Sequence, residues 1–250
     1  DKNTFFILQE KFMKEDNRLI YDVGNKKFDV CKKIEANPKI SELFICQRGS
    51  PKNKIKITEK KTGSSITCII SKNVEKYYCK DRNDLFVISP LQNKIIGKEK
   101  ILLPRTVLNL KCAYEKGNNF IMDRIYYLLP KQNINLKYVV GLINSKLLDF
   151  YYKINFGTTH VAGGYLDLRG VQINQIPIRL PSPSQQQKIL SLVEQMLELQ
   201  KKFHDEKTIG HEKERLKSQI DAVDYEIDEE VYKLYGITDE EKKVIEKSLR

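Results

Sequence analysis

The 250-residue chain is short of almost everything that catalysis requires. It has three histidines, His160, His204 and His211. They are scattered, and the last two flank a helix break, so their spacing does not describe a metal site. Its five cysteines, Cys31, Cys46, Cys68, Cys79 and Cys112, are odd in number and show no C-x-x-C spacing. That argues against a disulfide framework or a zinc ribbon and fits buried thiols in a reducing cytoplasm. No cysteine has a placed histidine partner to make it a nucleophile. A phosphate-binding glycine loop is also missing: the nearest cluster, Gly163-Gly164, does not follow a strand at the required spacing. There is no Asn/Asp-Pro-Pro-Tyr tetrad and no Pro-Asp with a Glu-x-Lys partner, so neither base methylation nor metal-dependent phosphodiester cleavage has its residues here, and no cofactor is expected in this segment. Apolar runs fall well short of the roughly 20 residues that span a bilayer, and no basic-then-apolar leader opens the chain. These absences describe a binding module.

Charge is what the chain has in quantity. With 40% hydrophobic and 31% charged residues it has the composition of a soluble globular protein, and its formal net charge is +11. The charge is unevenly spread. Residues 181–250 hold 12 Lys+Arg against 16 Asp+Glu, which leaves 32 against 17 in the first 180. A basic module that meets a polyanion, joined to a mildly acidic element, accounts for this split. A lysine-rich protein with a solvated surface is the other reading of this charge.

Along the chain, residues 1–30 form a connecting segment with apolar patches at Phe5–Leu8 and Leu19–Tyr21 and a turn at Gly24-Asn25. Leu43-Phe44-Ile45-Cys46 then runs into the turn signal Arg48-Gly49-Ser50-Pro51. Alternation in Lys54-Ile55-Lys56-Ile57 predicts a half-buried strand that would place Arg48, Lys52, Lys54 and Lys56 on one basic ribbon; lysines protecting a sheet edge would look the same. Further short strands are predicted at 67–70, 85–88, 94–96, 100–104, 112–114, 120–121 and up to 129, separated by polar turns. Val139, Leu142, Ile143, Leu147, Phe150, Tyr151 and Ile154 share one face of an amphipathic helix over about 137–154, with Asn135 as its N-cap. A polar loop follows, Gly157 to Tyr165, and a segment that closes on Ile176-Pro177-Ile178. Pro181-Ser182-Pro183 is a joint. Beyond it, a capping box at Ser184 and Gln187 starts a helix to about Lys207. A second helix after Gly210 carries Leu216, Ile220, Val223, Ile227, Val231 and Leu234 at alternating spacings of three and four, and the two are expected to pair antiparallel like a coiled coil. Gly236 ends the second helix and Thr238 with Glu241 caps a third. The fold class is α+β: a mixed or antiparallel sheet with packed helices over 31–180, followed by a helical hairpin spacer over 181–250.

Several stretches together carry a family resemblance. They are KISELFICQRGSPKN, KILLPRT, LINSKLLDFYY, LRGVQINQIPI, SQQQKILSLVEQMLELQ and IDEEVYKLYGITDEEKKVIE. In this order the chain resembles the TaqI-like C-terminal specificity domain of type IIG restriction-modification enzymes, and is similar to one half of a type I restriction specificity subunit. The resemblance implies a target-recognition domain that grips double-stranded DNA and reads a short site. It would present an adenine to a methyltransferase domain, with a nuclease domain as a further partner in some parents. S-adenosylmethionine and Mg2+ would belong to those other domains. Base edges call for guanidinium groups and short polar side chains, and phosphates call for cations. The expected DNA-facing residues are therefore Arg48, Lys52, Lys54, Lys56 and Lys60 in one cluster, Arg105 and Thr106 beyond Pro104, and Thr158, Thr159, His160, Tyr165 and Arg169 in the second loop. Half of a type I specificity subunit is the alternative, and a non-specific basic nucleic-acid-binding protein is a weaker one; an RNA binder would need an aromatic stacking platform that the sequence does not lay out.

Overall fold

A computed structural model of the chain describes residues 26–249, apart from 64, 81–83, 89–94, 158–159 and 162–163. The Gly24-Asn25 turn and the two early apolar patches lie outside these residues. The central strand is β5, Lys100–Pro104, in a four-stranded antiparallel sheet of order β1-β9-β5-β7. Its neighbours are β1 (Phe44–Arg48), β7 (Ala113–Glu115) and β9 (Ile125–Pro130). Every residue of β5 is buried. The period of two in a strand sends Ile101 and Leu103 to one core and Leu102 to the other. Strand β9 divides the same way, with Leu128 in the first core and Ile125 and Tyr127 in the second. An unbroken apolar run of this kind is what a sheet covered on both faces needs.

The second face is covered by a smaller mixed sheet of order β2-β4-β3-β8, built from β2 (Ile57–Thr58), β3 (Ser65–Ile69), β4 (Phe86–Ile88) and β8 (Phe120–Ile121). Only the β3–β8 pair is parallel. The strand predicted over Lys54–Ile57 is displaced toward the C-terminus and survives only as β2, Ile57–Thr58. Lys52–Lys54 make a single 3-10 turn closed by Ile55 N–H donating to Lys52 O at 3.3 Å. Turn chemistry around Pro51 outweighs an alternation of only four residues, so no single ribbon runs from Arg48 to Lys56. The strand expected at 94–96 is likewise replaced, with Ile95–Gly97 turning and Gly97 at φ 80°.

Helices cover the first face. The long helix expected over 137–154 is two helices, α3 (Leu136–Ile143) and α4 (Lys146–Phe156). Asn135 does cap α3, accepting from the Lys137 and Tyr138 amides at 3.0 and 3.2 Å. The break at Asn144-Ser145 has a tertiary cause. Asn144 accepts from Cys112 N–H at 2.9 Å and donates to Cys112 O at 3.0 Å, clasping a buried extended segment. Ser145 then caps α4 through the Leu148 amide at 3.3 Å. Asp149 Oδ1 accepts from Leu110 N–H at 2.7 Å, so two side chains satisfy the Leu110 and Cys112 amides, which no strand pairs.

A helix not expected from the sequence, α1 (Lys26–Glu35), crosses the assumed boundary at residue 30 and buries Val30, Cys31 and Ile34. The C-terminal helices are α6 (Pro183–Phe203), α7 (Gly210–Tyr235) and α8 (Asp239–Ser248). The α6 cap is Ser182 with Gln185 and Pro183 at N1, not Ser184 with Gln187, because Pro183 is preset for the first helical position. The helix also ends at Phe203, short of the expected Lys207. Helices α6 and α7 run antiparallel: Lys188 near the start of one pairs with Glu230 near the end of the other at 2.7 Å. The left-handed cap at Gly236 and the Thr238–Glu241 capping box are as expected. Helix α6 lies close on α3, since a Cβ on Gly141 would sit 2.7 Å from Val193 Cγ2. One apolar core therefore runs from α1 through α3 and α4 to α6, α7 and α8. No helix among the described residues is long and apolar enough to cross a membrane.

Candidate nucleic-acid interface

Four chain segments end on one rim of the large sheet, and each brings an arginine. Arg48 closes β1. The next residue, Gly49, has no room for a side chain: a Cβ would lie 2.2 Å from Met122 O. This close approach lets Ser50 N–H donate to Ile121 O at 3.0 Å and Asp123 N–H to Ser50 O at 2.9 Å. Asp123 is thereby set beside Arg48, whose Nε donates to its carboxylate at 2.5 Å. Partial burial would raise the Asp123 pKa, but the Arg124 amide and the Arg48 guanidinium outweigh it and hold the carboxyl below its usual value. Arg124 is exposed and stands at φ 67°, a left-handed conformation unusual for a long side chain.

Arg105 joins two sheets through its backbone. Its N–H donates to Arg124 O at 2.8 Å, and its carbonyl accepts from Leu168 N–H at 2.7 Å. Beyond it, β6 (Thr106–Val107) pairs with the hairpin β10 (His160–Val161) and β11 (Tyr165–Asp167). In that register Asp167 faces Thr106, and its carboxylate takes up two arginines. Arg105 binds it twice, Nε to Oδ1 at 2.7 Å and Nη2 to Oδ2 at 3.2 Å, and Arg169 Nε binds Oδ2 at 3.1 Å. The Arg105 hydrogen bonds, together with Arg169, hold the Asp167 carboxyl below its ordinary value. The Arg169 backbone is fixed as well, because its N–H donates to Gln172 Oε1 at 3.3 Å, an oxygen that also accepts from Tyr152 OH at 2.9 Å. Three guanidinium groups thus share two carboxylates on one exposed rim, and Arg124, whose backbone amide also bonds Asp123, adds a fourth; together they make a positive surface of planar donors suited to phosphates and base edges.

Of the residues expected to face DNA, the structure brings together Arg48, Arg105, Thr106 and Arg169. Lys52, Lys56 and Lys60 are exposed on the segment leading into and out of β2, apart from this rim's ion pairs. The side chain of Lys54, the residues Thr158 and Thr159, and the side chain of His160 lie outside what is described. Tyr165 is exposed and borders a cleft of about 530 Å³ that Lys76, Lys111 and Lys146 also line, and Thr106 connects that cleft to the rim. Sequence reasoning missed Arg124, Asp123 and Asp167. Asp167 stands two residues before Arg169, and that spacing was the available signal for one of its two pairs. No group of three or more His, Cys, Asp or Glu among the described residues is arranged to hold a metal ion. His204 instead stacks on Tyr78, with ring centroids 4.3 Å apart.

Residues 31–178 match the family model of the TaqI-like C-terminal specificity domain. Among solved structures, the type IIL restriction-modification enzyme MmeI, determined in complex with DNA, is similar to this chain at a TM-score of 0.58 and 10% identity, over 80% of this chain and 34% of that one. The type IIG restriction endonuclease BpuSI is similar at a TM-score of 0.52 and 9% identity, over 84% of this chain and 33% of that one. The HsdS subunit from Thermoanaerobacter tengcongensis is similar at a TM-score of 0.44 and 10% identity, over 90% of this chain and 50% of that one. The chain spans about a third of the length of MmeI and BpuSI.

Proposed function

Because the chain belongs to the TaqI-like C-terminal specificity domain family over residues 31–178, we propose that it is the module of a restriction-modification enzyme that recognises a short sequence in double-stranded DNA. The observation that carries this reading is the convergence of Arg48, Arg105, Arg124 and Arg169 on one rim of the family-matched unit. Cations and planar donors gathered on one face, supported from behind by ionised Asp123 and Asp167, suit a duplex that supplies phosphates at its edges and acceptor atoms in its major groove.

On this reading the module has no chemistry of its own. It holds the duplex so that a methyltransferase domain reaches a flipped target adenine, and in a cleaving parent a nuclease domain acts from the same bound position. S-adenosylmethionine and Mg2+ serve those domains. Residues 31–180 read the site, and the α6–α7 hairpin of 181–250 acts as a coiled-coil-like spacer that sets the distance to them. The assembly works in the cytoplasm, where duplex DNA is met.

Selection of bound duplexes from a random pool, at low and then moderate salt, tests the proposal. Enrichment of one short site that survives added salt is the expected outcome. Uniform recovery that collapses between about 50 and 200 mM salt would mean that phosphate contacts alone are made and would sink it.

A further inference from the structure

One carboxylate holding two arginines that differ in exposure assigns them different tasks. The Arg169 side chain is 59% exposed and Arg105 36%, while Asp167 between them is 9% exposed. Arg105 is pinned from both sides: its backbone bonds to the Arg124 and Leu168 segments, and its guanidinium lies two-pronged on Asp167. Arg169 gives only Nε to the carboxylate. Its Nη1 and Nη2 ends have no hydrogen bond to another described residue, on a side chain that is more than half exposed.

We propose that Arg169 is the residue that reads one guanine of the target site, and that Asp167 is the positioning residue that aims it. This rests on the DNA-recognition reading given above and deepens it. Guanine offers O6 and N7 side by side in the major groove, and the end-on edge of a guanidinium matches that pair with two parallel hydrogen bonds. A free arginine would spend conformational entropy on adopting that pose. A side chain already held at Nε spends less, because its fork is oriented before the duplex arrives. Asp167 can serve in this way because it is sheltered in β11, ionised, and locked from the other side by Arg105. Its charge is compensated within the protein, and it does not face the DNA phosphates as an unpaired anion.

The test compares duplex selection by the full chain with selection by R169K, R169A and D167N, with thermal melts to establish that each variant is folded. The unmodified protein is expected to enrich a site that contains at least one G·C pair. R169K and R169A should both lose preference at one G·C position by about 5- to 150-fold while keeping it elsewhere. The R169K result is diagnostic, because lysine retains the charge and loses the fork. D167N should weaken discrimination at that same position, with any further loss confined to contacts of Arg105, which shares the carboxylate; a merely structural role would lower binding to all sequences alike. Weaker binding of R169A at all sequences alike, with a salt slope reduced by about 0.9, would mean a phosphate contact and would overturn this inference while leaving the proposed function in place. A selected site without a G·C pair would overturn it equally. Failure of the unmodified chain to enrich any site would instead refute the reading on which the inference rests.

Discussion

Asp167 illustrates how one short side chain organises longer ones. Its pair with Arg169 is local and visible as two positions in sequence, but its pair with Arg105 spans 62 residues and exists only because β6 and β11 are neighbours. Arg105 and Arg169 could be chosen from the sequence because each stands where an apolar segment ends. Nothing in the sequence marks Arg124, since its left-handed backbone is imposed by the Asp123 carboxylate and by the Arg105 amide that bonds to its carbonyl. That conformation costs a non-glycine residue about 1–2 kcal/mol, and glycine would remove the cost while losing about 0.5–1 kcal/mol to chain entropy. R124G should therefore leave the urea midpoint nearly unchanged while weakening DNA binding in a filter or fluorescence assay. A large loss of stability would mean that the guanidinium supports the fold rather than the ligand.

At the level of elements, the split between α3 and α4 shows where periodicity misleads. The apolar positions from Val139 to Ile154 keep one spacing throughout, so the helix reads as continuous, yet Asn144 leaves it to bond both backbone groups of Cys112. The dipeptide Asn144-Ser145 belongs to the cap-forming residue types that compete with helical hydrogen bonding, and a break there was legible in kind if not in partner. N144A would orphan the buried Cys112 N–H, while Cys112 O keeps the Tyr77 amide at 2.9 Å. Its expected cost is about 1–3 kcal/mol, read as a lower urea midpoint at constant slope, and an effect under about 0.5 kcal/mol would show that the 110–112 segment is not held by this clasp. A second buried device, the Lys100–Glu115 pair at 2.6 Å, joins the ends of β5 and β7, with both side chains almost fully buried. Glu115 also accepts from the Gly117, Asn118 and Asn119 amides. A charge sheltered by so many donors fixes the 115–119 turn, whereas the turn residues Gly117-Asn118-Asn119 alone would allow several.

For the whole molecule, the main question is whether residues 181–250 are an appendage. The α6–α7 hairpin and α8 bury Ile189, Val193, Met196, Val223, Ile227, Val231, Tyr235 and Ile245 in the core that α3 and α4 share. The proline joint is held rather than loose. Arg179 O accepts from Tyr138 OH at 2.8 Å and Arg179 N–H donates to Tyr235 OH at 3.0 Å, so tyrosines from two helices clamp it. A fragment ending at residue 180 would expose the apolar side of α3, and it is expected to lose its cooperative thermal transition and to bind an apolar dye. A fragment that melted cooperatively near the temperature of the full chain would establish 181–250 as an independent spacer and put the shared core in doubt as a source of stability.

The sequence alone determined the α+β class, most strand positions, the caps at Asn135, Thr238 and Gly236, the pairing of the last long helices and the family. Each of these follows from local propensity, short-range periodicity or the order of motifs, which a linear chain carries within a few residues. Tertiary structure decided the rest: the helix break at Asn144, the shortening of the Lys54–Ile57 strand to β2, the docking of α1, and the gathering of four arginines around Asp123 and Asp167. These depend on which distant backbone groups need a partner and on which strands become neighbours, and both are settled only when the chain closes on itself.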